Sequence, residues 1–252
     1  MEPALRLEHV DKRFGGVVAA QDVTFSIEAG AIHGLIGPNG AGKTTLMNVI
    51  SGIYTADSGA VYLEGQDITK TPAHKRPHLG IARTFQTPRF LHRTTIQNNL
   101  LLGTDLAEHK GYLRSYVQRQ SHHFMEELDY YMQYAGFGID LDKDISSLTY
   151  GQMKIVEIVR SLLTHPKVML VDEPAAGLIT KEQDDAMNLL QIAAKEKNIA
   201  VLLIEHSMDL VMRHCKHIVV LNFGQVIAQG APEEITANEE VIAAYLGRDA
   251  NA

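Results

Sequence analysis

Nine consecutive residues carry the clearest chemistry in this 252-residue chain: Gly37-Pro38-Asn39-Gly40-Ala41-Gly42-Lys43-Thr44-Thr45. They fit the pattern G-x-x-x-x-G-K-[ST]. They follow a short apolar run, Ala31 to Ile36, and open a helix-forming stretch, Lys43 to Ile50. Glycines at those spacings let the backbone curl so that several N–H groups converge on phosphate oxygens, and a helix N-terminus adds positive potential. Lys43 supplies a cation for the terminal phosphates, and the Thr44 hydroxyl a ligand for Mg²⁺. A glycine-rich turn with an incidental lysine is the plainer alternative, and the strand–turn–helix setting argues against it.

A second apolar run, Val168 to Val171, ends in two carboxylates, Asp172 and Glu173. In open α/β sheets, ligands gather at the C-terminal ends of strands. Asp172 there can hold Mg²⁺ through water, and Glu173 can orient or deprotonate an attacking water. Gln86 follows the strand-like Ile81 to Phe85, and His206 follows Ile199 to Ile204. Singly, each has a bland reading as a helix cap, a solvated strand end or one of twelve histidines. Together they supply what triphosphate hydrolysis needs: a cradle (Lys43, Thr44), metal ligands (Thr44, Gln86, Asp172), a water-orienting carboxylate (Glu173) and a γ-phosphate sensor (His206).

The elements that must position these groups are legible as periodicity. Leu5, Leu7 and Val10 suggest one strand; Val23, Phe25 and Ile27 alternate in another. Gly59 to Leu63 reads as a further strand. From about 94 to 165 the chain changes to long helical stretches, for example Tyr112 to Tyr134. Strand and helix then alternate: Val168–Val171, Lys181–Lys197, Ile199–Ile204, Met208–His214 and His217–Leu221, with two short helices expected over Glu233 to Leu246. That alternation implies a largely parallel sheet with helices on its faces, and the helical stretch a separate lobe.

Composition bounds the function. Hydrophobic residues at 45% and charged residues at 21% are ordinary for a soluble globular protein. A single cysteine, Cys215, excludes an internal disulfide framework and fits a reducing compartment. The balance of 23 Lys and Arg against 30 Asp and Glu, net −7, argues against a surface made for nucleic acid. No apolar run approaches the roughly 18 residues of a membrane span, and the N-terminus lacks the pattern of a secretory signal. Any membrane role is therefore expected to come through partners.

With these motifs in this order, the chain resembles the ATP-binding subunits of ABC transporters. The resemblance covers nearly the whole sequence: the Walker A loop at 37–45, the Q-loop Gln86, a signature-like Leu148-Thr149-Tyr150-Gly151-Gln152, the Walker B strand ending in Asp172-Glu173, a D-loop at Ala176-Gly177-Leu178 and the switch His206. It implies a P-loop NTPase fold of the α/β class, with a mostly parallel sheet core, an antiparallel β subdomain and an inserted helical subdomain. Residues 1–252 would form one such ATPase domain, with 1–93 and 166–252 as core plus β subdomain and 94–165 as the helical part. It also implies ATP and Mg²⁺ as cofactors, an adenine stacked on Phe14 beside Val18, and a signature that contacts the ATP of an opposite subunit. The usual LSGGQ is LTYGQ here: Thr149 keeps a hydroxyl, while Tyr150 stands where a glycine is usual and is expected to pack outward on the helical lobe. Isoleucine at 179 replaces the polar residue usual after the D-loop leucine and is expected at the dimer interface.

Finer words resemble one branch. Thr84-Phe85-Gln86, Asp172-Glu173-Pro174-Ala175-Ala176-Gly177-Leu178, Ile204-Glu205-His206, Gly230-Ala231-Pro232-Glu233-Glu234-Ile235 and Ala244-Tyr245-Leu246-Gly247 look like the ATPase subunits of branched-chain (hydrophobic) amino-acid importers. Importers of urea, amides and other small solutes share them. Such a system implies a second ATPase subunit, identical or paralogous, two membrane-spanning permease subunits, an extracytoplasmic solute-binding protein, and a peripheral place on the cytoplasmic face of the inner (plasma) membrane. Pro88-Arg89-Phe90-Leu91 is the candidate docking surface for the permease. A soluble ABC-type ATPase acting on DNA, ribosomes or cofactor assembly is the alternative. The short Gln86-to-Leu148 gap, the single Walker A and the acidic charge count against it. A small-molecule kinase or GTPase would lack a use for the signature, and no guanine-reading N-K-x-D is present.

Overall fold

Residues 2–108 and 122–246 are described in the computed structural model. Alternating apolar positions near the start give β1 (Leu5–Phe14) and β2 (Val17–Ile27), joined at Gly15-Gly16. Leu5, Leu7 and Val10 all point inward because the strand bulges at His9, whose φ of +50° shifts the alternation by one residue. β3 (Ile32–Ile36) is buried throughout and leads through the phosphate loop into α1 (Lys43–Ile50). β4 (Ser58–Leu63) and β5 (Gln66–Asp67) complete an antiparallel sheet in the order β2-β1-β4-β5. α2 (Arg76–Leu79) and β6 (Ile81–Arg83) follow.

The next described elements are helical: α3 (Ile96–Glu108), α4 (His122–Met132), a 3₁₀ turn at Ile145–Ser147 and α5 (Tyr150–Leu162). The helix expected over Tyr112 to Tyr134 is seen as α4; 112–121 lie outside the described residues. The chain then runs through β7 (Val168–Asp172), α6 (Thr180–Lys197), β8 (Ala200–Ile204), α7 (Met208–His214), β9 (His217–Asn222), β10 (Gln225–Gly230), α8 (Pro232–Thr236) and α9 (Glu239–Leu246).

The main sheet has the order β10-β9-β3-β8-β7-β6, parallel except for β10 at one edge. β3, β7 and β8 are buried at every position, as parallel strands covered on both faces must be. Val171, Val201 and Val220 face a core shared with α5, α6 and the other described helices of the 96–163 stretch. Leu170, Leu202 and Leu221 face the opposite way, against α1 and the antiparallel sheet. The fold is therefore layered, and the phosphate loop leaves the middle of the sheet. No helix among the described residues is long and apolar enough to cross a membrane.

Candidate nucleotide-hydrolysis site

The phosphate loop is built mainly of backbone. Gly42 precedes α1 with φ +106°, a conformation open to glycine, and a side chain there would collide with the carbonyl of Ala19. The Gly224 N–H bonds to Ala41 O (2.9 Å) and Gly224 O accepts from Gln21 N–H (2.8 Å), so the β9–β10 turn and β2 brace the loop from behind. At the far end of α1, buried Arg76 donates to the carbonyls of Val49 (2.8 Å) and Ile50, placing a cation on the helix C-terminus. The Lys43 ammonium is buried and donates to Gly37 O (2.6 Å) and Pro38 O (3.0 Å). Those bonds keep it at the mouth of the loop.

A cleft of about 230 Å³ opens above this loop, lined by Val17, Val18, Ala19, residues 39–45, Glu173, Ile204 and His206. The sequence-expected Val18, Asn39, Gly40, Ala41, Gly42, Lys43, Thr44, Thr45, Glu173 and His206 thus meet in one place. Gly37, Pro38, Gln86 and Asp172 are not part of that lining. Phe14 also stands outside it, near the end of β1, half exposed and edge-on to Tyr54 (5.0 Å between ring centres), with the Lys12 ammonium 5.4 Å from its ring.

Glu173 is the centre of the polar network. Its Oε1 lies 2.8 Å from His206 Nε2 and its Oε2 accepts from Gln86 Nε2 at 2.8 Å. An ionised carboxylate only accepts, so His206 Nε2 carries the proton in that contact. Asp172 is buried beside the Arg83 guanidinium, 3.7 Å away; burial pushes its carboxyl pKa up, and Arg83 opposes this. Arg83 also donates to Asn48 (2.7 Å) and Ser51 (2.9 Å) on or just after α1, tying the two phosphate-facing motifs together. Among the described residues no group of three or more His, Cys, Asp or Glu could hold a resident metal. A hydroxyl and one carboxylate are nevertheless the donor set that Mg²⁺ uses when phosphates complete its shell, so Thr44 and Asp172 fit that ion.

The signature segment starts α5 through a capping box: Gln152 N–H bonds to Thr149 Oγ1 (3.2 Å) and Thr149 N–H to Gln152 Oε1 (3.0 Å). A side chain at Gly151 would meet the Glu182 carboxylate, the end of a flexible side chain that would have to swing aside. Leu148 packs against the core just ahead of the cap. Tyr150 corrects the expectation of outward packing. The residue is 42% exposed, yet its hydroxyl donates back to Gln86 O (3.2 Å) and one edge of its ring lies beside Gly177, so it leans on these segments and not on the helical lobe. Ile179 is 67% exposed at the start of α6.

Several residues here escaped sequence reasoning. Glu205 is buried and accepts from Ala175 N–H (2.9 Å) and His206 N–H (2.9 Å), joining the turn after β7 to His206. Lys154 and Glu157 are buried on α5, with the Glu157 carboxylate near Arg160 (3.8 Å) and the backbone N–H groups of Phe85 and Arg89. Burial raises the Glu157 pKa, and these partners oppose it. Charges placed within the apolar stripe of α5 were the available signal.

The family described as ABC transporter matches residues 20–176. This chain belongs to the ABC transporter family. The C-terminal family described as branched-chain amino acid ATP-binding cassette transporter matches residues 225–251. The ABC subunit is 38% identical over 250 residues to a high-affinity branched-chain amino acid transport ATP-binding protein, BraF, of Pseudomonas aeruginosa, covering 97% of this chain and 98% of that one. It is 37% identical over 251 residues to a probable counterpart, LivG, of Methanocaldococcus jannaschii, covering 96% and 97%. Among solved structures, the ADP conformation of an ATP-binding cassette of an ABC transporter superposes with a TM-score of 0.84 at 35% identity, covering 98% of this chain and 100% of that one. This ABC subunit is accordingly an ATPase domain that binds ATP or ADP, and its membrane permease partners follow from the family.

Proposed function

We propose that the chain hydrolyses ATP to drive import of branched-chain or other hydrophobic amino acids, as one of two ATPase subunits closing around two ATP molecules. The observation that carries the hydrolytic reading is the carboxylate of Glu173, held by Gln86 and His206 at the rim of the Lys43 cleft. The solute class is supported by the match of residues 225–251 and by the relatives' names. In this reading Glu173 accepts a proton from the attacking water and His206 senses the γ-phosphate. Lys43 and the loop N–H groups neutralise the β- and γ-phosphates, and Phe14 and Val18 flank the adenine. Thr44, Asp172 and Gln86 would hold Mg²⁺, which would supply charge neutralisation on the phosphates. Thr149, Tyr150, Gly151 and Gln152, with Leu148 behind them, face the ATP of the second subunit.

Residues 94–165 act as the helical lobe, and 1–93 with 166–252 as the nucleotide-binding body. Pro88, Arg89, Phe90 and Leu91, with the Arg89 guanidinium 4.9 Å from the centre of the Phe85 ring, form the docking surface for the permease. The complex sits on the cytoplasmic face of the membrane and receives solute from an extracytoplasmic binding protein. Co-purification of the chain with its membrane subunits, followed by reconstitution into vesicles, tests this. ATP-dependent uptake of labelled leucine, isoleucine or valine is expected. Co-purification with ribosomes or DNA instead, or uptake confined to an unrelated solute, would overturn it.

A further inference from the structure

Glu173 stands in an unusual backbone conformation. Its φ is +49°, in the left-handed region that residues other than glycine and asparagine seldom adopt. The direction of its side chain depends on that turn being held. On one side the hold is the sheet: Glu173 N–H donates to Ile204 O on β8 at 2.9 Å. On the other side its carbonyl accepts from two groups: the Ala176 N–H of the same turn, at 3.3 Å, and one side chain from α5. The Lys154 ammonium, in a residue only 2% exposed, donates to the main-chain carbonyl of Glu173 at 2.5 Å.

A buried lysine is costly unless its charge is compensated. Burial lowers the Lys154 pKa, and the carboxylates of Glu157, Glu205, Glu173 and Asp172 oppose that shift. Four carboxylates thus oppose the burial penalty on this ammonium, and three of them belong to the turn after β7 and its bracing network. Tyr150, one turn earlier on the same helix face, places its ring 5.7 Å from the same ammonium and its hydroxyl on Gln86 O. Two successive turns of the signature helix therefore grip the two segments that carry Gln86 and Glu173.

We propose that Lys154 is a positioning residue for ATP hydrolysis: its ammonium fixes the carbonyl of Glu173 and thereby the place of the Glu173 carboxylate. This rests on the reading of Glu173 as the base. It follows that the signature helix cannot shift relative to Glu173 within its own chain without loosening that carboxylate.

The test uses the purified full chain and Lys154→Met, which keeps length and apolar bulk while removing the donor. Turnover and KM for Mg²⁺-ATP, ADP affinity by calorimetry, and thermal melting are measured, alone and combined with Glu173→Gln. A displacement of about 1 Å at a reacting group costs on the order of 100-fold. Turnover is therefore expected to fall by about 10- to 100-fold, with KM, ADP affinity and melting close to wild type. In the Glu173→Gln background, Lys154→Met is expected to cause no further loss, because it acts through the carboxylate already removed. Wild-type turnover, an equal fold-loss in both backgrounds, or a loss of folding would each overturn the proposal, the last by making Lys154 a structural prop. Wild-type turnover by Glu173→Gln alone would instead overturn the reading of Glu173, so the two failures are distinguishable.

Discussion

The two sides of the hydrolytic site are made of different material. The phosphate loop is backbone: glycine conformations, main-chain bonds to the β9–β10 turn and a helix end fixed by Arg76. The side facing it, from Gln86 through the signature to Glu173, is made of side chains reaching between segments: Tyr150 to Gln86, Gln86 and His206 to Glu173, Lys154 to the carbonyl of Glu173. Backbone cradles are rigid and tolerate no side chain where the chain folds on itself. Side-chain bridges can be exchanged singly, and each can open during a catalytic cycle. Substitutions in the first region are thus expected to act on nucleotide affinity and those in the second on turnover.

The largest effect should come from the cradle. Lys43→Ala removes the cation facing the β- and γ-phosphates, and is expected to reduce ATPase activity to background and to weaken nucleotide affinity, read by phosphate release and calorimetry. Near-normal hydrolysis would break the comparison at its first term. On the other side, Tyr150→Phe deletes one hydroxyl bond, worth roughly 0.5–1.5 kcal/mol. Turnover should change by about 2- to 10-fold with ADP affinity untouched. A loss of ADP affinity in that variant would mean the two regions are not separable. The smallest intrinsic effect is expected from Ile179→Asp, at an exposed position near the D-loop. Nucleotide affinity of the monomer should be unchanged, and any change confined to dimer formation or to hydrolysis in the assembled complex. Equal losses in both would place Ile179 within its own subunit's site.

The same division explains what the sequence revealed. Lys43 to Ile50 and Met208 to His214 are helices with the expected bounds, because glycine or serine caps and periodicity are local signals. The parallel strands were legible as apolar runs. β10 was not, since Gln225 to Gly230 is polar at both ends and owes its place to pairing with β9. At the site, Lys43, Glu173 and His206 could be named from motif and strand ends. Lys154 and Glu205 could not be assigned, because their role is set by which carbonyls and N–H groups the tertiary fold brings to them. The Tyr150 contact with Gln86 was not legible for the same reason: the fold brings Gln86, distant in sequence, to its hydroxyl.

The most direct measurement is the behaviour of Glu173→Gln with Mg²⁺-ATP. The amide keeps the shape of the carboxylate and cannot take the proton of water, so ATP should still bind while hydrolysis nearly stops. The trapped complex should then run as a dimer by size-exclusion chromatography with light scattering, and as a monomer without nucleotide. Turnover at the wild-type rate would contradict the assignment of Glu173, and a monomer with ATP bound in the full assembly would contradict the two-subunit site.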